Sequence, residues 1–198
     1  MRYHLRCLLC IAALIAVLGG CATGKPPPEP ATMPKAESPM LPEERIRDRF
    51  IIPGDRVGPV SLRMPLRQLI TVMGEPVSST ASSIPGGRPA LLYRYADPEA
   101  TAEGAILVMV REHDQTVYSI RIDRIESYQT REGVRFGSSE ALVRASFGKP
   151  QSVQRMDANA PRTYCYLNGI ALQMDEVGNV ESITVFPGPD LRKICKAQ

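Results

Sequence analysis

The chain has 198 residues, with 24 Lys+Arg against 21 Asp+Glu and a formal net charge of +3. So slight an excess excludes the strongly basic surface of a nucleic-acid binder. Tryptophan is absent and phenylalanine occurs four times, so the core must be aliphatic with a few tyrosines, and the length suits one domain or two small similar units.

Residues 1–20 read as an export signal. Arg2 and Arg6 stand in a start without acids, Cys7 to Leu18 is a 12-residue apolar run, and Leu18-Gly19-Gly20-Cys21 follows. A basic start, a short apolar stretch and small residues before a cut site are the marks of secretion. The run is too short to cross a hydrocarbon core of about 30 Å. The L-G-G-C tetrapeptide resembles the bacterial lipobox, which implies that Cys21 is acylated (a palmitate-type chain) and becomes the first mature residue. By the same resemblance, Ala22 after the cysteine implies the outer membrane, with the chain facing the periplasm. Cleavage there removes Arg2 and Arg6 and leaves 22 basic against 21 acidic residues. The pI of 8.6 therefore owes part of its value to the signal.

Cysteine use fits that address. Cys7 and Cys10 leave with the signal and Cys21 carries lipid, so Cys165 and Cys195 remain as a pair in an oxidising compartment. A disulfide is expected between them; closing a loop of that length stabilises by roughly 3–4 kcal/mol on the chain-entropy model. Two free thiols or a metal site are the alternatives. With only His4, in the signal, and His113 available, zinc is disfavoured.

Residues 21–50 hold the lipidated cysteine and a tether. Seven of the 18 prolines fall between Ala22 and Pro42, and at ~3.1 Å per residue this polyproline-like spacer reaches about 65 Å. Glu43 to Phe50 is expected to form a short helix, with Pro42 at its start and acids in its first turn.

From Ile51 the chain repeats itself. GPVSLRMPLRQLITVMGEP (58–76) matches GVRFGSSEALVRASFGKP (133–150), the pair Tyr93 and Tyr95 matches Tyr164 and Tyr166, and Val117–Ile122 matches Val180–Val185. In each copy a helix comes first. Leu66, Leu69, Ile70 and Met73 make one apolar stripe. Val143 and Phe147 share a face in the second copy, and Ser138 or Ser139 supplies an N-cap. Gly74 and Gly148 stand where a C-cap belongs, and Pro76 and Pro150 stop the helix.

Strands are expected over 91–95, 105–110 and 117–122, and again over 163–167, 170–174 and 180–186. Glu112-His113-Asp114-Gln115 and Asp175 to Asn179 are the hairpin turns. On the third strands Ile120/Ile122 and Ile183/Val185 share one face while Ser119/Arg121 and Ser182/Thr184 share the other, so one sheet face meets the helices and one meets water. The expected fold class is α+β: two tandem, two-layer repeats, each a helix plus a three-stranded antiparallel sheet. Repeat 1 covers 51–127, repeat 2 covers 128–187, and 188–198 is a C-terminal tail.

The repeated G-x-P helix stop, the Y-x-Y pair and the closing V-x-S-I-x-V resemble two groups of bacterial envelope proteins. These are the outer-membrane-assembly lipoproteins of the SmpA/OmlA (BamE) type and the tandem-repeat β-lactamase-inhibitor-protein fold. The resemblance spans roughly residues 55–187 and rests on glycines, a proline and apolar spacing, so it implies topology more than role. The assembly lipoproteins usually carry one repeat, and two copies argue against simple equivalence.

Catalytic constellations are weak. His113 lies in an expected turn beside Glu112 and Asp114, no G-x-S-x-G elbow exists, and the loop at Gly86-Gly87 lacks the Lys-Ser/Thr of a phosphate-binding loop. No cofactor or metal motif is present, and no enzyme is expected. Tyr93, Tyr95, Tyr164 and Tyr166 each sit two apart on one sheet face. They either fill space between helix and sheet or form a binding surface, tyrosine being enriched in interface hot spots. With Arg94 and Arg121 they are the candidate binding residues. The expected function is non-catalytic: an outer-membrane lipoprotein that binds another envelope protein, attached to the membrane at Cys21. An inhibitor-like binder of a periplasmic enzyme and a peptidoglycan-binding structural lipoprotein are the alternatives. A polar concave pocket favours sugar; a flatter Tyr/Arg face favours protein.

Overall fold

The computed structural model describes residues 48–97, 104–155, 161–190 and Cys195. The expected signal, Cys21 and the tether lie outside them, as does all of the helix expected over 43–50 except its end. There the chain is extended: Phe50 opens strand β1.

Twelve strands and two α-helices are ordered β1 (Phe50–Ile52), β2 (Arg56–Val57), β3 (Val60–Ser61), α1 (Leu66–Met73), β4 (Ser78–Ile84), β5 (Arg88–Tyr95), β6 (Ala105–Arg111), β7 (Val117–Asp123), β8 (Gln129–Thr130), α2 (Glu140–Phe147), β9 (Ser152–Gln154), β10 (Arg162–Tyr166), β11 (Ile170–Met174) and β12 (Val180–Val185). Two sheets result, one of four strands in the order β3-β2-β1-β8 and one of eight in the order β4-β5-β6-β7-β12-β11-β10-β9. Neither helix is long and apolar enough to cross a membrane.

This architecture corrects the expected fold class. The molecule is mostly β, and it is not a pair of helix-plus-three-strand units. All neighbours in the eight-stranded sheet pair antiparallel, and that one sheet is shared by both halves. A fourth strand stands at each outer edge, β4 and β9, where sequence alternation had shown none. β4 is SSTASSI, polar on both faces except at its end, and β9 has three residues. Neither writes the apolar alternation that marks a half-buried strand.

The two sequence copies occupy equivalent places about the middle of the sheet. β7 meets β12 with Ile120 opposite Val185, Arg121 opposite Thr184 and Ile122 opposite Ile183. Arg121 and Thr184 are each other's counterparts in the two copies, so a pseudo-twofold axis passes through that pair. The same relation governs detail. Arg63 N–H donates to Val117 carbonyl, and Gly137 N–H donates to Val180 carbonyl, both at 2.8 Å. Each half also has a register irregularity at the matching place, Met109/Val110 and Gln173/Met174.

Both helices and the small sheet cover one face of the large sheet. Their core joins Leu69, Val143, Ile51, Val57, Val60 and Tyr128 to Val108, Val110, Ile120, Ile122, Leu172, Ile183 and Val185. Ser139, rather than Ser138, caps α2, accepting from Leu142 N–H at 3.4 Å; Ser138 instead accepts from Arg135 N–H at 2.9 Å. A partly buried ion pair between Asp48 and Arg56 anchors the first hairpin, with Arg56 also donating to the Gly58 carbonyl at 2.8 Å.

The small sheet is fastened to the large one where two backbones touch. Gly54 N–H donates to the Gly169 carbonyl at 3.2 Å. A Cβ on Gly169 would lie 2.4 Å from the Phe186 carbonyl oxygen and 2.6 Å from the Gly54 Cα. At Gly74, also at positive φ, a Cβ meets nothing within 4 Å. Gly74→Ala is therefore expected to cost only its backbone strain, ~1–3 kcal/mol. Gly169→Ala adds a backbone clash that no rotamer relieves, so it should lower the urea midpoint clearly more. Equal losses would show that the turn yields freely.

Candidate functional site

Away from the helices, the large sheet presents its second face. Register places one residue of each strand in a single row across it: Ser78, Arg94, Leu107, Arg121, Thr184, Ala171, Cys165 and Ser152. At about 4.8 Å between strands the row is roughly 34 Å long. It is palindromic about the pseudo-twofold, with Ser78 answering Ser152, Arg94 answering Cys165, and Leu107 answering Ala171. Arg94, Arg121 and Thr184, placed on the water side by sequence alternation, are thus on one line.

The two halves of this row are finished differently. In the second half Cys165 is disulfide-bonded to Cys195, with Cα atoms 6.3 Å apart. Cys165, Ala171, Phe186 and Cys195 form a small buried cluster, and the Cys195 carbonyl accepts from the Ser152 hydroxyl at 3.4 Å. Cys195 thereby covers part of its own half of the face. In the first half Arg94 is exposed and Leu107 half-buried, while further along the same face Ile84, Ala90 and Tyr118 form a second buried cluster with Met109 packed against it. Leu92 and Met109 stand one row over, opposite each other, and both are half-buried.

Charge on the open half is uneven. Arg121 Nε lies 2.6 Å from Asp123 Oδ1, the pair being partly exposed, so its charge is neutralised locally. Arg94 has no ion-pair partner among the described residues. This half therefore presents half-buried Leu92, Leu107 and Met109 beside Arg94 and, at the far end of β5, Arg88, neither arginine having an ion-pair partner among the described residues. Such a surface suits an apolar segment that brings a carboxylate. Leu107 and Met109 were not legible as surface residues. They lie in β6, whose sequence AILVMVR is apolar on both faces, and a central strand gives no alternation to read.

The tyrosines face the other way. Tyr95, Tyr164 and Tyr166 are at most 4% exposed and belong to the core under the helices, with Tyr93 packed against it. Tyr166 touches Phe147 of α2 with ring centroids 5.4 Å apart, and its hydroxyl donates to the Gly148 carbonyl at 3.5 Å. Tyr164 lies under two guanidinium groups, Arg144 at 5.2 Å and Arg162 at 5.8 Å from its centroid. Glu140 joins both arginines, at 2.7 and 3.3 Å, and the hydrogen bond from Arg144 leads the effects that lower its pKa. The spacing of the tyrosine pairs gave a shared face but not which face; the structure assigns them to packing, and of the candidate binding residues only Arg94 and Arg121 remain on open surface.

His113 is in the β6–β7 turn, 61% exposed and 3.3 Å from Asp114. Among the described residues there is no group of three or more His, Cys, Asp or Glu placed to hold a metal.

No protein-family model and no curated protein matches the chain. Among solved structures it is similar to a cysteine-rich secretory protein of Staphylococcus aureus subsp. aureus Mu50, at 13% identity and a TM-score of 0.46. The similarity covers 74% of this chain and 51% of that one, so the chain spans about half the length of its structural neighbour.

The core role of Tyr95 is open to test. Burial pushes its pKa up to about 12, with Tyr93 and Glu75 adding to the effect, and its hydroxyl has no hydrogen-bond partner among the described residues. The folded state thus holds the neutral phenol more tightly than the unfolded chain, whose tyrosines titrate near 10. Its contribution is complete below about pH 10 and fades as pH rises toward 12. Tyr95→Phe should leave neutral-pH stability unchanged or slightly higher, since an unpaired buried hydroxyl is removed. The variant should also unfold at higher pH than wild type in a base titration followed by circular dichroism. A loss above about 1 kcal/mol at neutral pH would mean the hydroxyl is satisfied.

Proposed function

We propose that the chain is a lipid-anchored outer-membrane protein, facing the periplasm, whose folded part binds another envelope protein without catalysis. The observation that carries this reading is the asymmetry of the cross-sheet row: Cys195, disulfide-bonded to Cys165, covers that position in one half, and at the equivalent position the other half presents an exposed Arg94. A half-exposed apolar strip on a sheet face, bordered by Arg94 and Arg121, is chemistry for a protein surface or an extended peptide. It is an open sheet face with an aliphatic centre rather than a cleft lined by polar groups, which favours a protein over a glycan. The anchor rests on the L-G-G-C tetrapeptide and the apolar run before it.

Both parts are tested in intact cells. Arg94→Ala with Arg121→Ala should alter stability by no more than about 0.5 kcal/mol per site, since the Arg121–Asp123 pair is partly exposed. Crosslinking from the envelope should then capture the partner several-fold less well. Leu107→Asp should abolish capture. If neither variant changes what is captured, the partner does not use this face. Separately, metabolic labelling with a fatty acid should mark wild type and fail on Cys21→Ser; equal labelling would remove the anchor.

A further inference from the structure

The eight-stranded sheet ends in two very different edges. β9 is three residues long, and the Cys195 carbonyl bonds to its Ser152 side chain. β4 is seven residues long, pairs only with β5 among the described residues, and is exposed along most of its length. Monomeric proteins blunt such edges with lysines, prolines, bulges or covering loops. Residues 78–84 contain no charge and no proline, and β4 keeps an unbroken register with β5 over all seven pairs.

We infer that β4 is the interface of a homodimer, pairing antiparallel with β4 of a second copy about Ala81. Antiparallel self-pairing is isologous and closes by symmetry. About Ala81 it sets Thr80 opposite the partner copy's Ser82, and Ser79 opposite the partner copy's Ser83. These side chains are small and uncharged, so nothing repels. Val77, 68% exposed, falls opposite the partner copy's Pro85 and gains an apolar contact. Glu75 is carried to the end of the sheet that holds the partner copy's Arg88, and the symmetry makes that attraction twice. Neither Glu75 nor Arg88 has an ion-pair partner among the described residues of its own chain. Strand addition at this edge extends the large sheet through both copies and leaves the open row of each, with Arg94 and Leu107, uncovered. It does not rest on the partner-binding role proposed above.

The test is the oligomeric state of the full chain by sedimentation velocity, together with a crosslink. Wild type should sediment as a dimer. Ser79→Lys with Ser83→Lys puts lysines directly opposite one another across the interface, and both positions are exposed. This variant should dissociate at least tenfold more readily and keep the wild-type melting curve. Glu75→Arg should weaken the dimer, and adding Arg88→Glu should restore it. Paired residues in adjacent strands have Cα atoms about 4.5–5.5 Å apart, within disulfide reach. Ala81→Cys should therefore give a covalent dimer on a non-reducing gel, whereas Val153→Cys, on the opposite edge, and wild type should not. A monomeric wild type overturns the inference, as does a lysine variant that stays dimeric. Should the lysine variant fail to fold, the Ala81→Cys crosslink decides: its absence in a folded protein is a negative result.

Discussion

The antiparallel junction of β7 with β12 is the constraint on which the rest of the structure depends. Two chain segments that are copies of one another meet so that Arg121 and Thr184, equivalent residues, face each other. Had the register slipped by one residue, every side chain of the second half would have changed faces. Ile183 and Val185 would then point to water while Ser182 and Thr184 entered the core. Both strands carry aliphatic residues at alternate positions on the helix side, and burying them fixes the register. Everything else is placed by repetition outward from that pair, strand by strand, to the edges at β4 and β9.

One consequence is a division of labour between the two sheet faces. Under the helices the residues of both halves remain large and apolar, because a close-packed interior penalises any change of volume. Across the other face the equivalent positions have diverged in chemical type: arginine against cysteine at 94 and 165, leucine against alanine at 107 and 171. Small residues there leave room for the tail, and the disulfide holds it down. The covalent link is on the chain-entropy model a stabiliser of roughly 3–4 kcal/mol. It also buries Cys165 and Ala171 on that face.

Much of this was readable in the residues, and what was not has physical causes. Gly74-x-Pro76 and Gly148-x-Pro150 ended two helices where they do end, because glycine caps and proline stops are local effects. The alternation of β7 and β12 placed Arg121 and Thr184 on the water side correctly. The Ser-rich strand β4 was missed since an edge strand with both faces polar carries no amphipathic period, and its pairing with β5 is a tertiary fact. The fold class failed for the same reason: without β4 and β9 each copy counts three strands, and no local signal says that the two copies share one sheet. Tyr93 and Tyr95, like Tyr164 and Tyr166, announced a common face but not its direction, since a phenol ring suits a core and an interface equally well.

Leu107 shows how the open half can persist in a stable protein. Its neighbours Ile106 and Val108, on the helix side, are at most 3% exposed, so β6 is held by the core whatever its outer face does. At about 25 cal/mol per Å² of apolar area, leaving part of one leucine in water forgoes a fraction of the roughly 1.5–3 kcal/mol that full burial supplies. In the second half Cys195 supplies such burial over Cys165 and Ala171. Arg94 stands where the other half has Cys165, so this position has no covalent means of holding a covering segment and carries a charge instead. Leu107 and Arg94 thus put half-buried apolar surface and a positive charge side by side on one strand pair, and these are the two features that the proposed partner would meet together.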